Sequence, residues 1–355
     1  MKILGGRVPS IVKEANALLL AQLQLSQERM FFPKISREEL CVGGTWEAVK
    51  SLYSNVAADY KDADGEAPEK SNPTESLAMG KLPIIALKRG LNNSYMEAIE
   101  SMIGRYDASA IAEKVTVIQR LNIDSTYMRL ELDTNRALSH GVIAVNDGTN
   151  VNLDNVRVDF KIPDENKHTS KVEGDVTLDD IEAVIEAAAD IQFAKALTDA
   201  PTLRKLGQAE DMRKAYAGAN GISGTFDGQL TLSQINAYFK EMYGFEFEKT
   251  TTSVRVEIKG IVSSKEAWKE GVITFVPSER PIIIGHWGVV EKRAHNMFND
   301  EDVYTDLGKY SLMSVLSQKK DPYTIQSRLE TRAVPILDQS DAVHILETAK
   351  KKVGE

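Results

Sequence analysis

Three features of the sequence predict an α+β fold. Residues 107–141 carry no proline and no internal glycine, and their apolar side chains recur at steps of three and four. Residues 151–162 show the opposite rhythm: Val156, Val158, Phe160 and Ile162 alternate with Arg157, Asp159 and Lys161, as in a strand with one buried face. Helical and strand-like stretches then follow one another in irregular order. There is no repeat of fixed period and no steady strand–helix alternation of a wound sheet.

Composition narrows the function classes. A chain of 355 residues with 42% hydrophobic and 27% charged residues can bury a substantial core. A net charge of −9 argues against a surface built mainly to wrap nucleic acid. The single cysteine, Cys41, rules out an internal disulfide and suits a reducing compartment. The mildly apolar run at 15–25 is interrupted by Asn16, Gln22 and Gln24, so neither a signal peptide nor a membrane span is expected there.

In chain order, residues 1–38 read as an arm. A short helix is expected over 12–28, followed by Met30-Phe31-Phe32-Pro33, a sticky segment that needs another surface to cover it. Residues 59–76 are charged and rich in Gly and Pro. With strand-like runs at 40–58 and 82–91 on either side, they read as a long projecting hairpin. A short helix over 95–103 precedes the long one.

The long helix has Asp107 as its N-cap and Gly141 to end it in a left-handed turn. Its apolar stripe is Ile111, Val115, Ile118, Leu121, Met128 and Leu132, with a polar lapse near Ser125. At 1.5 Å per residue it would be roughly 50 Å long, against a typical helix of about 11–12 residues. Such a rod suggests a scaffold. Beyond it, Asp147-Gly148 marks a hairpin. Thr177 with Asp180 forms a capping-box variant opening a helix with apolar Ile181, Val184, Ile185, Ala188 and Ile191. Short helices at 201–206, 211–216 and 232–242, a strand at 253–259, two strands around a turn at 277–280, a strand at 324–336 and a tail at 343–353 complete the chain.

Candidate chemistry is sparse. Gly218-x-x-Gly221-x-x-Gly224 lacks both the spacing of a dinucleotide fingerprint and a preceding strand, and reads as a loop. Histidines 140, 168, 286, 295 and 344 show no metal-ligand spacing. The acidic runs at 62–66 and 299–302 lack the closing glutamate of a calcium loop. No nucleophile elbow and no Ser/His/Asp set stands out. No enzyme, cofactor or metal is expected.

With that layout, the chain resembles the major capsid protein E family of tailed bacteriophages, the lambda-type coat proteins. The resemblance rests on Met30-Phe-Phe-Pro33, on Arg129-Leu-Glu131 through Ala137-Leu138-Ser-His-Gly141 and Val142-Ile-Ala-Val145, on Val158-Asp-Phe160 through Pro163 with Asp179-Asp180-Ile181, and on Asp321-Pro322 with Ala333-Val-Pro335 and the strand around His344. It covers about residues 30–350. Where the family often has a tryptophan before the Asp-Ile helix, this chain has Val176.

The resemblance implies the capsid fold: an N-terminal arm (1–38), an extended loop (39–91), a peripheral domain (92–192) with its spine helix at 107–140, an axial domain (193–285), and a return to the peripheral domain (286–355). It implies a subunit that self-assembles as hexamers and pentamers into an icosahedral shell enclosing double-stranded DNA without sequence-specific contact. The subunit would be made in the bacterial host cytoplasm and reside in the virion. Portal, scaffold or decoration proteins are further partners, and no membrane is involved. Expected subunit contacts are Phe31, Phe32, Asp59, Asp62, Asp64, Glu66, Lys88 and Arg89. The rival readings are an encapsulin-type shell around protein cargo and an unrecognised enzyme.

Overall fold

The computed structural model describes residues 8–49, 76–91, 93–102, 105–144, 157–189, 191–258, 261–288, 303–320 and 323–349. The Asp147-Gly148 turn, the 59–75 segment and the 299–302 run lie outside them. Contacts divide the chain into two compact units. One comprises Met1–Trp46, Lys81–Glu131 and Ile283–Pro335; the other comprises Glu47–Gly80, Leu132–Ile282 and Ile336–Glu355.

The long helix spans Ala108–His140. Its caps are those expected: the Ala110 N–H donates to Asp107 Oδ1 at 2.9 Å, and Gly141 adopts φ +67°. A Cβ at Gly141 would also meet Ile162 Cδ1 at 2.8 Å, so glycine is required twice over. Ile111, Val115, Ile118 and Leu132 are buried and Met128 half-buried, but Leu121 is 49% exposed. The buried stripe passes instead through Thr116, Gln119, Asn122 and Thr126. Gln119 Nε2 donates to Ser314 Oγ at 2.9 Å, and Asn122 Nδ2 to Ser327 Oγ at 3.0 Å. Polar side chains that find partners can occupy a helix face that apolar spacing assigns to leucine.

The sheet facing that stripe has the strand order Ser36–Leu40, Ile282–Trp287, Tyr323–Leu337, Met313–Lys320, Val303–Asp306, with Ile84–Gly90 also pairing Tyr323–Leu337. Leu316 and Ile325 from this sheet meet Ile111, Ala112, Val115 and Ile118 of the helix, together with Met96 and Ile99 of the helix Asn93–Met102. Of the expected hairpin, the described residues show Thr45–Val49 pairing with Ser76–Lys81. Its return arm is therefore not 82–91, whose strand pairs antiparallel with residues 326–332. A partner some 240 positions away is invisible to local pattern.

The second unit holds a sheet ordered Lys167–Glu173, His344–Ala349, Val272–Val276, Lys195–Thr198, Glu246–Lys249. The expected strands on either side of the 277–280 turn exist, at Val272–Val276 and Ile282–Trp287, but they join different sheets. The tail is a strand, His344–Ala349. Four helices flank this sheet. Leu178–Ala187 opens on the Thr177/Asp180 capping box. Ala200–Gln208 has proline in its first turn, Glu210–Ala219 follows it, and Leu232–Tyr243 has a second capping box, Thr231/Gln234. Ile181, Val184, Leu206, Met212, Ile235 and Phe239 from these helices bury against Ile273, Phe275 and Leu346 of the sheet. Val158, Phe160 and Ile162 are buried as expected, but the strand is only Arg157–Asp159, and Lys161 with φ +50° leaves the extended conformation before Ile162.

Gly207, inside Ala200–Gln208, is set by contact. A Cβ there would lie 2.6 Å from the Leu230 carbonyl oxygen, while Leu230 N–H donates to Gly207 O at 2.9 Å. Gly207→Ala should therefore destabilise by about 1–3 kcal/mol, overriding the gain of up to about 1 kcal/mol from helix propensity. A melting temperature equal to or above the parent's would refute this close approach.

Candidate assembly surface

The N-terminal helix Val8–Arg29 leads into a short helical turn, Phe32–Ile35. Its seat on the long helix is built from three positions three to four residues apart, hence on one face. Asp124 Oδ1 accepts from Gln22 Nε2 at 3.0 Å, Ser26 Oγ at 2.6 Å and Arg29 Nη2 at 3.0 Å. Tyr127 OH accepts from Gln27 Nε2 at 3.2 Å. Glu131 takes the chain where the helix has ended: its Oε2 accepts from Phe31 N–H at 3.1 Å and Phe32 N–H at 2.8 Å. These peptide groups turn a corner where no helical carbonyl is available, so a buried carboxylate satisfies them.

Phe32 is fully buried, its ring centroid 5.5 Å from that of Tyr127 and 5.9 Å from that of Tyr310. Phe31 is buried as well. The two phenylalanines expected as subunit contacts are thus covered by their own chain. Burial holds the Tyr127 and Tyr310 hydroxyls well above the usual phenol range, so both stay neutral.

Lys88 lies on the exposed face of Ile84–Gly90, directly opposite Arg328. Arg89 points to the other face and donates to Ser125 Oγ at 3.1 Å. The polar lapse of the long helix is therefore occupied from both sides, by the arm at Asp124 and by Arg89 at Ser125. Asp59, Asp62, Asp64 and Glu66 lie outside the described residues.

Other clusters resolve into packing. Ser311 Oγ and His286 Nδ1 are 2.9 Å apart, with Glu38 beyond the ring, which is triad chemistry by composition. The Glu38–His286 Nε2 separation is 3.7 Å, outside hydrogen-bond reach, and Glu38 is paired at 2.5 Å with Lys309. An open depression of about 690 Å³ is lined by Lys171, Lys205, Lys214, Asp175, Asp179 and Glu210, among others. Lys205 Nζ is spent on Gly174 O and Lys214 on Glu210. Gly218 lies in the last turn of the helix Glu210–Ala219 rather than in the expected loop, while Gly221, Gly224 and Gly228 follow in an exposed loop; at all four a Cβ would touch nothing within 4 Å. Among the described residues no cluster of His, Cys, Asp and Glu could hold a metal, and no helix is long and apolar enough to cross a membrane.

No protein-family model matches the chain, and no curated protein matches it in sequence. Its backbone path does have counterparts. A prophage protein of Escherichia coli described as a capsid protein superposes with a TM-score of 0.50, covering 94% of this chain and 99% of its own, at 12% identity. A phage-related protein from Bordetella bronchiseptica also gives 0.50, covering 93% of this chain and 96% of its own, at 11% identity. The chain has the tailed-phage major capsid fold.

For a capsid-fold subunit, the anchoring residues that sequence reasoning passed over are Asp124, Tyr127 and Glu131. A signal existed. Asp124 and Glu131 are seven apart, two turns along one face, inside a helix whose other turns bury apolar groups. Acids so placed are expensive unless something donates to them.

Proposed function

We propose that the chain is the shell-forming major capsid protein of a tailed phage or prophage head, of the lambda-type E family, assembling as hexamers and pentamers around double-stranded DNA. The observation that carries this is the fold itself, which runs through nearly the whole of this chain and of its two counterparts. Its work is assembly, not catalysis, and its place is the virion. Portal, scaffold and decoration proteins complete the list of partners. The domain plan proposed is an arm (1–38), an extended loop (39–91), a peripheral domain (92–192), an axial domain (193–285) and a return (286–355).

In this reading the acids Asp59, Asp62, Asp64 and Glu66 meet basic residues of a neighbouring copy, with Lys88, on the exposed face of its strand, as one candidate. Each exposed pair is worth about 0–1 kcal/mol. Many such pairs close a shell while letting misplaced subunits leave. The negative net charge keeps the shell from gripping its DNA.

Purified protein should yield megadalton shells or ring-shaped capsomers in electron micrographs and sedimentation. A protein that stays monomeric at every concentration and salt condition would end the proposal, and shells filled with a protein cargo would favour the encapsulin-type alternative. Deleting residues 59–76 should change subunit stability by less than about 0.5 kcal/mol yet abolish closed shells. Normal shells from that variant would remove the loop from the assembly surface.

A further inference from the structure

The strands Ser253–Ile258 and Ile261–Glu266 form a ribbon of six registered pairs that joins no larger sheet. Its base is anchored. The Ala267 and Trp268 N–H groups donate to Thr252 O at 3.0 and 3.3 Å, and Val254, Ala267 and Trp268 are buried. Toward the tip the cover is lost, leaving Ile261 and Val262 72% and 61% exposed. A lone two-stranded ribbon is marginal in water, and its unpaired edges are templates for another strand. Among the described residues, no other element hydrogen-bonds the outer edge of Ser253–Ile258.

The sequence of that edge is self-complementary. Ser-Val-Arg-Val-Glu-Ile places Arg255 and Glu257 two apart on one exposed face, and neither has an ion-pair partner among the described residues. An antiparallel pairing of this strand with itself needs a two-fold axis. Centred on Val256, the axis sets Arg255 opposite Glu257 of the second copy and Glu257 opposite its Arg255. Centred on Arg255 or Glu257, it would set like charges face to face. Centred between two residues, it would align the charged face of one ribbon with the apolar face of the other.

We propose that the outer edge of Ser253–Ile258 pairs with the same strand of a second copy about a two-fold at Val256, joining the two ribbons into one four-stranded sheet. The occupant is a second copy because the edge matches itself in charge, and this proposal deepens the shell reading by naming one contact through which subunits meet.

The full chain carrying Val256→Cys and Cys41→Ser tests it. Cys41 is the only native cysteine, so the background is silent. At the centre of an antiparallel pair the Cα atoms lie about 4.5–5.5 Å apart, within the disulfide range of about 4.4–6.8 Å. Oxidation should give a covalent dimer on a non-reducing gel, while Ser264→Cys on the outer strand should stay monomeric. Adding Glu257→Arg should cut the dimer yield about tenfold or more, and adding Arg255→Glu to that should restore it. Shells that form without a Val256→Cys cross-link, or a cross-link indifferent to Glu257→Arg, overturn the ribbon contact and leave the shell reading standing. A charge-sensitive cross-link in protein that never forms larger particles upholds the ribbon contact and overturns the shell.

Discussion

Glu131→Ala is expected to unseat the arm and to lower stability by about 3–5 kcal/mol. The carboxylate is buried and accepts the peptide N–H groups of Phe31 and Phe32. Its removal leaves both donors buried without that acceptor. Water cannot easily replace it, because Phe32, Tyr127 and Tyr310 close the site with ring contacts of 5.5 to 5.9 Å. Glu131→Gln keeps one acceptor oxygen and should cost less, about 1–2 kcal/mol. Denaturant midpoints measure the loss, and limited proteolysis should cut residues 8–32 faster in the alanine variant. An alanine variant with the parent's midpoint and cleavage pattern would mean that the arm is not held by Glu131.

Acid should loosen the second unit through a histidine pair. His168 Nε2 and His344 Nδ1 are 3.0 Å apart, the rings lie nearly parallel with centroids 5.3 Å apart, and Phe193 meets the His344 ring edge-on. One proton shared across that contact satisfies both nitrogens, and a second would place two donors against each other. Burial, then the neighbouring His168, lowers His344 from 6.5 to about 4, and burial lowers His168 as well. The sign follows from linkage. The unfolded chain takes up protons near 6.5 while the folded pair resists them, so the stabilisation is complete above pH 6.5. It is lost as pH falls from there through 4. The His344 contribution is about 3 kcal/mol. Unfolding midpoints at pH 7.5 and 4.5 should therefore differ more in the parent than in His344→Phe, which keeps the ring packing but cannot titrate. Equal differences would show that the pair does not control the acid response.

Much of the fold was legible because its signals are local. Asp107, Gly141 and the Thr177/Asp180 pair fix helix ends by bonds that span three or four residues. The alternation through Val158, Phe160 and Ile162 marks buried positions without reference to any partner, although the strand itself ends at Asp159. The arm seat was not legible. Asp124, Tyr127 and Glu131 look like ordinary polar positions until Gln22, Ser26 and Phe32, about a hundred residues earlier, are brought against them. Leu121 was misplaced for the same reason, since the buried stripe runs through Gln119 and Asn122 only because Ser314 and Ser327 lie opposite.

The sequence by itself determined the long helix and its caps, some of the strands, and the order of elements that resembles a capsid subunit. Those features depend on backbone periodicity and on side chains bonding their own turn. The tertiary structure alone decided which strands share a sheet, that Phe31 and Phe32 are covered by their own chain, and that Ser253–Glu266 stands as a ribbon with an open edge. Pairing and burial are properties of surfaces brought together from distant parts of the chain, and no local period encodes which surface arrives.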